Sequence, residues 1–458
     1  MDTNDNAGQP PAPPIPIPAH PAGPTRRSAV HHGPAPVPGA PAADDSWLAK
    51  LGPGLVTGAA DDDPSGIATY SQAGAQFGFG LLWTVLLTYP LMVGIQMVSA
   101  RIGRVTGHGL ATNIRRHCPA PLLYAIVGLL VTANTINIAA DIAAMGQALQ
   151  LLAGGPAPLY AAGFGLLSLL LEILMPYRRY VRVLKWLTLA LLAYVATVLV
   201  VRVPWGQVLH DTVLPRLIWH RDYLTTIVAV FGTTISPYLF FWQSSQEVEE
   251  LRADPDARPL RRAPLQVARQ LRRIRLDTLV GMGFSNLVAF CIILTTAVTL
   301  HAHGQTGIVS SSQAASALRP LAGDFAFLLF SLGIIGTGLL AIPVLAGSAA
   351  YAVAGTFSWQ NSLEAAPMAA RKFYAIIAAA TLAGVVMGFL PLDPIKTLYW
   401  SAVINGVIAV PVMAVMMVLA GRRRVMGELA IALPLKTLGW LCTALMALAV
   451  VAMLATIG

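Results

Sequence analysis

One stretch limits what this chain can fold into more than any other. Asp61, Asp62 and Asp63, followed by Pro64, Ser65 and Gly66, interrupt a run from roughly 51 to 83 that otherwise has the length and apolarity of a membrane-spanning helix. Each acid near the centre of such a helix costs roughly 2.5 to 3.5 kcal/mol on insertion scales. Proline removes a backbone donor, and lipid cannot satisfy the carbonyl left behind. The run is therefore not a plain lipid-facing span; it points to a polar cavity, most simply a cation site.

The chain of 458 residues is 56% hydrophobic and only 11% charged, far outside the soluble range. Apolar runs of about 20 residues recur, the length needed to cross the hydrocarbon core. The short alternating strands of an outer-membrane barrel are absent from the sequence. Eleven spans are expected, at about 50 to 74, 79 to 101, 120 to 148, 157 to 176, 180 to 201, 223 to 245, 277 to 300, 324 to 354, 371 to 391, 394 to 420 and 436 to 457. With a cytosolic amino terminus, 25 of the 30 Lys and Arg fall on the inner side; Arg202, Arg216, Arg221, Arg319 and Lys396 remain outside. The net charge of +9 is thus a topology signal that places the carboxy terminus outside the inner membrane, and it does not read as a nucleic-acid footprint.

Residues 1–45 are rich in Pro, Ala and Gly, have no hydrophobic periodicity and lack the apolar core of a signal peptide. They read as a disordered cytosolic tail ahead of a transporter domain at 46–458, and His31 and His32 within them read as a solvated pair. Cys118, Cys291 and Cys442 lie too far apart in sequence for a CxxC or Cys/His ligand spacing. No GxxxxGK[ST] loop supports an ATP-driven pump, no Ser/His/Asp set supports an enzyme, and no histidine falls mid-span to relay protons. No cofactor and no obligate protein partner is indicated; the expected partners are a divalent ion and the bilayer.

The sixth span carries a second interruption, with Pro237 in the middle of FGTTISPYLFFWQS. Breaks in the first and sixth of eleven spans imply two inverted five-helix repeats, about 50–201 and 223–420, plus an extra helix at about 436–457. Matched breaks of this kind mark a midplane binding site. Pro237 alone reads as a kink at least as well. An unwound turn bares carbonyl oxygens, and hard divalent cations take oxygen ligands including a carboxylate. Asp63, next to Pro64, is the first candidate ligand, with the carbonyls around Ala60 and Thr233 and the Ser236 hydroxyl as neutral oxygens. Ser236 and Thr233 read equally well as hydroxyls bonded back to the preceding turn. Asp61 and Asp62 point elsewhere around a continuous helix and are expected to line the vestibule. Asp141 in the third span is a relay or vestibule residue, or simply a partner for Asn134 or Asn137. Glu247, with Glu249 and Glu250, is either an exit funnel or a solvated helix end.

Residues 52–83, GPGLVTGAADDDPSGIATYSQAGAQFGFGLLW, closely resemble the first span of NRAMP divalent-metal transporters, whose motif there is DPGN. The resemblance extends over roughly 47–457 and weakens after the sixth span. It implies an all-α, LeuT-type fold with helices 1 and 6 broken and metal ligands at the Asp and Asn of DPGN and the Met of a sixth-span MPH motif. Here Asp63 matches the Asp, Gly66 stands at the Asn position, Ser236 at the Met and Tyr238 at the His, while Gln243 replaces a second histidine. In the third span Asp141 matches a family acid, but Ala144 stands where a Glu is expected. These losses are similar to those of the NRAMP-related magnesium transporter branch. The resemblance therefore implies Mg²⁺ or Mn²⁺ uptake by alternating access without strict proton coupling. The alternatives are a proton-coupled Mn²⁺/Fe²⁺ importer, a Na⁺-coupled organic-solute carrier and a membrane sensor.

Overall fold

A polar residue followed by proline starts three helices of this chain, at Asp63-Pro64, Ser236-Pro237 and Asp393-Pro394. The computed structural model describes residues 57, 58, 60–175, 187–308, 310–390 and 393–456, and among them it contains helices and 3₁₀ turns but no strand. The proline-rich tail and the GPGL segment at 52–55 lie outside the described residues. The helices used below are α1 (Pro64–Phe77), α2 (Leu82–Thr106), α3 (Leu110–His117), α4 (Ala120–Ala153), α5 (Ala157–Leu174), α6 (Leu192–Val200), α7 (Trp205–Val213), α8 (Arg221–Thr234), α9 (Pro237–Ala253), α10 (Val267–Thr299), α11 (Ala326–Phe357), α12 (Arg371–Met387), α13 (Pro394–Gly421) and α14 (Leu433–Ala455).

Eight helical runs among the described residues are long and apolar enough to cross a membrane, or nine if the bent pair α6 and α7 counts as one, against the eleven expected. The shortfall has physical causes. The first two expected spans run together through a 3₁₀ turn at Gly78–Leu81. The fifth falls partly on residues 176–186, outside the described set. At the ninth, α12 has only 17 residues. Helix α10 also starts at Val267, ten residues before the expected 277, because its first turns are an arginine-rich extension beyond the apolar stretch.

Depth of burial sorts the helices. The most apolar window of the α8–α9 run is wholly buried, whereas those of α5 and α14 are only 28% and 33% buried, so α8 and α9 are central and α5 and α14 peripheral. Helix α1 packs against α10, α13 and α8, and α4 against α11, α13, α5 and α12. Small residues allow these approaches. A Cβ on Gly232 of α8 would lie 2.1 Å from the Ala402 carbonyl of α13, and one on Gly103 of α2 would lie 2.2 Å from the Ser244 carbonyl of α9. Only glycine lets these backbones touch.

Candidate functional site

Both interruptions are built the same way. Residues 60 and 61 are helical, Asp62 bends, and Asp63 is extended (φ −69°, ψ 171°) before α1 restarts at Pro64. Helix α8 ends at Thr234, Ser236 is extended (φ −79°, ψ 131°), and α9 restarts at Pro237. A proline pushes the residue before it out of the helical region and suits the first helical position, where its missing N–H is not needed. Asp-Pro and Ser-Pro therefore each end one helix and start another.

The two N-caps then differ. Asp63 caps α1: its Oδ1 accepts from the Gly66 N–H at 2.7 Å and the Ser65 hydroxyl at 2.6 Å. Ser236 does not cap α9. Its hydroxyl turns back to the carbonyls of Gly232 (2.8 Å) and Thr233 (2.9 Å), the back-bonded alternative weighed from sequence, which leaves only its lone pairs to face a ligand.

Three contacts join the breaks. The Tyr238 hydroxyl donates to the Ala60 carbonyl at 3.3 Å, the Tyr70 hydroxyl lies 2.9 Å from Thr234 Oγ1, and a Cβ on Gly66 would meet Thr233 Oγ1 at 3.2 Å. Asp63, Ala60, Gly66, Thr233, Ser236 and Tyr238 are thus one buried neighbourhood. Gln243 lies one and a half turns further along α9, accepting from the Thr57 hydroxyl at 2.5 Å while its Nε2 has no partner among the described residues.

Residues from distant helices complete the acid cluster. Asn137 of α4 donates from Nδ2 to Asp63 Oδ2 at 2.9 Å and lies 3.5 Å from Asp141 Oδ2, while its Oδ1 accepts from Ser401 of α13 at 2.7 Å. Asn134 is engaged elsewhere, with the Leu345 carbonyl and Ser348. On another side Ser285 of α10 reaches both Asp61 Oδ2 (2.7 Å) and Asp62 Oδ1 (3.1 Å). This corrects the expectation that Asp61 and Asp62 diverge: the helix stops at Asp61, so Asp62 leaves the helical track and both acids meet one serine. Among the described residues, Asp61 Oδ1, Asp62 Oδ2 and Asp141 Oδ1 are buried without a hydrogen-bond partner. Buried oxygens of this kind are costly unless something cationic or a donor reaches them.

Glu247 is not a solvated helix end. It is fully buried, and Arg273 of α10 pairs through Nη2 with Glu247 Oε2 at 2.6 Å and through Nη1 with Glu250 Oε2 at 2.6 Å. Arg104 of α2 stands 4.0 Å from Glu250. This guanidinium ties the end of α9 to α10. Ser285, Asn137, Ser401 and Arg273 are the site's neighbours that sequence reasoning did not pick out in these roles. Among the described residues no three His, Cys, Asp or Glu side chains converge as a ready-made metal cluster. An ion here would take one carboxylate, neutral oxygens and its own water.

Comparison with known proteins places this geometry. Residues 54–456 match the family described as natural resistance-associated macrophage protein-like. The chain is 29% identical over 392 residues to the divalent metal cation transporter MntH of Acidiphilium cryptum, covering 84% of this chain and 85% of that one. It is 27% identical over 406 residues to MntH of Klebsiella pneumoniae, covering 87% and 92%. A manganese transporter of Eremococcus coleocola, solved with an aromatic bis-isothiourea substituted compound, shares the fold with a TM-score of 0.68 at 18% identity, over 90% of this chain and 89% of that one. MhsT in complex with L-phenylalanine shares it at 0.57 and 13% identity, over 90% and 99%.

Proposed function

The chain belongs to the Nramp family, and from that premise we propose that it carries a divalent metal cation, Mg²⁺ or Mn²⁺, inward across the cell membrane by alternating access without strict proton coupling. The observation that carries the proposal is Asp63: an extended, buried carboxylate at the restart of a helix, beside a second Ser-Pro restart, with the Ala60 carbonyl and the Thr233 hydroxyl in the same buried neighbourhood. Neither break contains sulfur or imidazole. Mg²⁺ sheds water reluctantly and prefers oxygen, so an oxygen-only site with one carboxylate suits a partly hydrated ion. Eleven helices in two inverted five-helix repeats, with the amino terminus cytosolic, give the two breaks their symmetry, and rocking of the broken helices against the rest would open either side. The membrane potential is drive enough, since two charges crossing 100 mV gain roughly 4.6 kcal/mol.

The test is uptake into liposomes of the purified chain, offered Mg²⁺, Mn²⁺, Ca²⁺ and Fe²⁺ with a pH dye inside. The expected result is Mg²⁺ and Mn²⁺ entry at constant internal pH; acidification in step with metal entry would refute uncoupled transport.

One observation favours a second reading, a proton-coupled Mn²⁺/Fe²⁺ importer. A Cβ on Gly338 would meet both Met145 Sδ (2.5 Å) and Pro64 Cγ (3.4 Å), so a thioether from α4 packs beside the proline of the first break. Thioethers favour softer transition metals over Mg²⁺. On that reading Met145→Leu lowers Mn²⁺ and Fe²⁺ uptake and spares Mg²⁺; on the main reading all three change alike.

A further inference from the structure

A cavity of about 510 Å³ lies far along the chain from the acid cluster, between α7 and the ends of α1 and α10. Arg202 and Arg216 line it, and neither forms an ion pair among the described residues. Both belong to the side that the Lys and Arg distribution leaves poor in cations, where a retained arginine has no topological use. Asp211, the carboxylate of the same cavity, is engaged by His210, with Nδ1 and Oδ1 2.9 Å apart. His301 is held through Nδ1 at the Ala75 carbonyl, 2.9 Å away.

The wall is fixed rather than loose. Tyr223 is 1% exposed, and its hydroxyl sits 2.8 Å from the Arg216 carbonyl and 3.1 Å from the Gly80 carbonyl while accepting from Trp83 Nε1 at 3.2 Å. The backbone that carries Arg216 is thereby pinned to the bundle.

Beside the cavity the surface is apolar. Helix α7 turns 119° from the preceding apolar helix, so it lies across that helix's end. Trp205, Leu209 and Val213 recur every four residues along one face and are 51%, 62% and 65% exposed, while Val208 is turned inward and buried. Trp219, further along, is 77% exposed. Tryptophans with an apolar face lying in one plane mark a segment at the headgroup level of a bilayer.

We propose that this cavity seats the phosphate of a membrane phospholipid between Arg202 and Arg216, with the acyl chains along the exposed face of α7. Guanidinium groups bind phosphate oxygens bidentately, and an anionic lipid adds a net charge that a zwitterionic one lacks. The continuous apolar face favours a lipid over free phosphate, which needs no such surface. The proposal is independent of the ion site.

The experiment is native mass spectrometry of the full chain titrated with phosphatidylglycerol, comparing the unmodified protein with Arg202→Ala/Arg216→Ala. Both side chains are exposed, so folding is not at stake, and equal melting temperatures check this. The unmodified chain holds one phosphatidylglycerol more tightly than the rest, and the double variant binds it at least about tenfold more weakly, the effect expected of one lost charge-assisted contact. Millimolar inorganic phosphate leaves that lipid in place. Equal retention by the two proteins overturns the proposal, and so does displacement by inorganic phosphate, which would make the cavity a site for the free anion.

Discussion

Exchanging the polarity of one hydrogen bond separates the structural work of Asp63 from its charge. Asp63→Asn keeps the side chain's shape, but the new amide must place its NH₂ group somewhere. Facing Asn137 Nδ2, 2.9 Å away, it sets donor against donor; turned over, it meets the Gly66 N–H and the Ser65 hydroxyl at 2.7 and 2.6 Å. A flip of Asn137 satisfies the new amide, with Ser401 donating to the Leu398 carbonyl (2.7 Å) and accepting from Nδ2, but it takes the amide donor away from Asp141 Oδ2, 3.5 Å off. One buried group is left unmatched in either orientation, which costs about 1–3 kcal/mol of stability. The double variant Asp63→Asn/Asn137→Asp restores the pattern: the amide donates to the new carboxylate, whose other oxygen still accepts from Ser401. It should recover about 0.5–3 kcal/mol of coupling energy. Transport should not return, since the charge has left the break. Losing that carboxylate should weaken metal binding at least about 100-fold, about 2.7 kcal/mol. Thermal unfolding of the purified variants reads the first effect and Mn²⁺ uptake into liposomes the second. Uptake within twofold of the unmodified chain in either variant would refute the assignment of Asp63 as the ligand.

Ser285→Ala removes the donor shared by Asp61 and Asp62 and should cost about 1–3 kcal/mol in thermal unfolding while lowering uptake less than Asp63→Asn does. Arg273→Ala strands the fully buried Glu247 and should cost about 3–5 kcal/mol, most of it recovered in Arg273→Ala/Glu247→Gln. His108, in the turn between α2 and α3, is held below its ordinary pKa by burial and by Arg116, Arg252, Arg262 and Arg115. The unfolded chain therefore takes up this proton first as pH falls, so His108 erodes stability from near its ordinary value of 6.5 downward until the folded form also protonates. His108→Gln should flatten that part of the stability profile without changing uptake.

The all-helical character was legible in the sequence because apolar runs of spanning length are a local signal, and so were the points where Asp-Pro and Ser-Pro end one helix and start another; the number of spans was not. What failed was the course of the chain after Asp61. Treating the three acids as one continuous helix put Asp62 on the wrong track, and the bend at Asp62 brings it to the serine that Asp61 already uses. Asn137 meets Asp63 across 74 residues, Ser285 meets Asp61 across 224 and Ser401 meets Asn137 across 264, and pairings that long leave no periodicity to read. A trace existed for one of them: Ser285 and Asn286 form a polar pair inside the apolar run GMGFSNLVAF, which asks for a partner. Glu247 misled in the opposite way. A run of glutamates near a helix end resembles a solvated terminus, and only the packing of α10 beside α9 reveals Arg273 as its counter-charge.

The ion site itself can be observed directly. In crystals of the full chain soaked in Mn²⁺, anomalous scattering should give one peak in the pocket between Asp63 and the Ser236 turn, lost in Asp63→Asn. A peak at saturating Mn²⁺ that lies elsewhere, or that survives that substitution, contradicts the account.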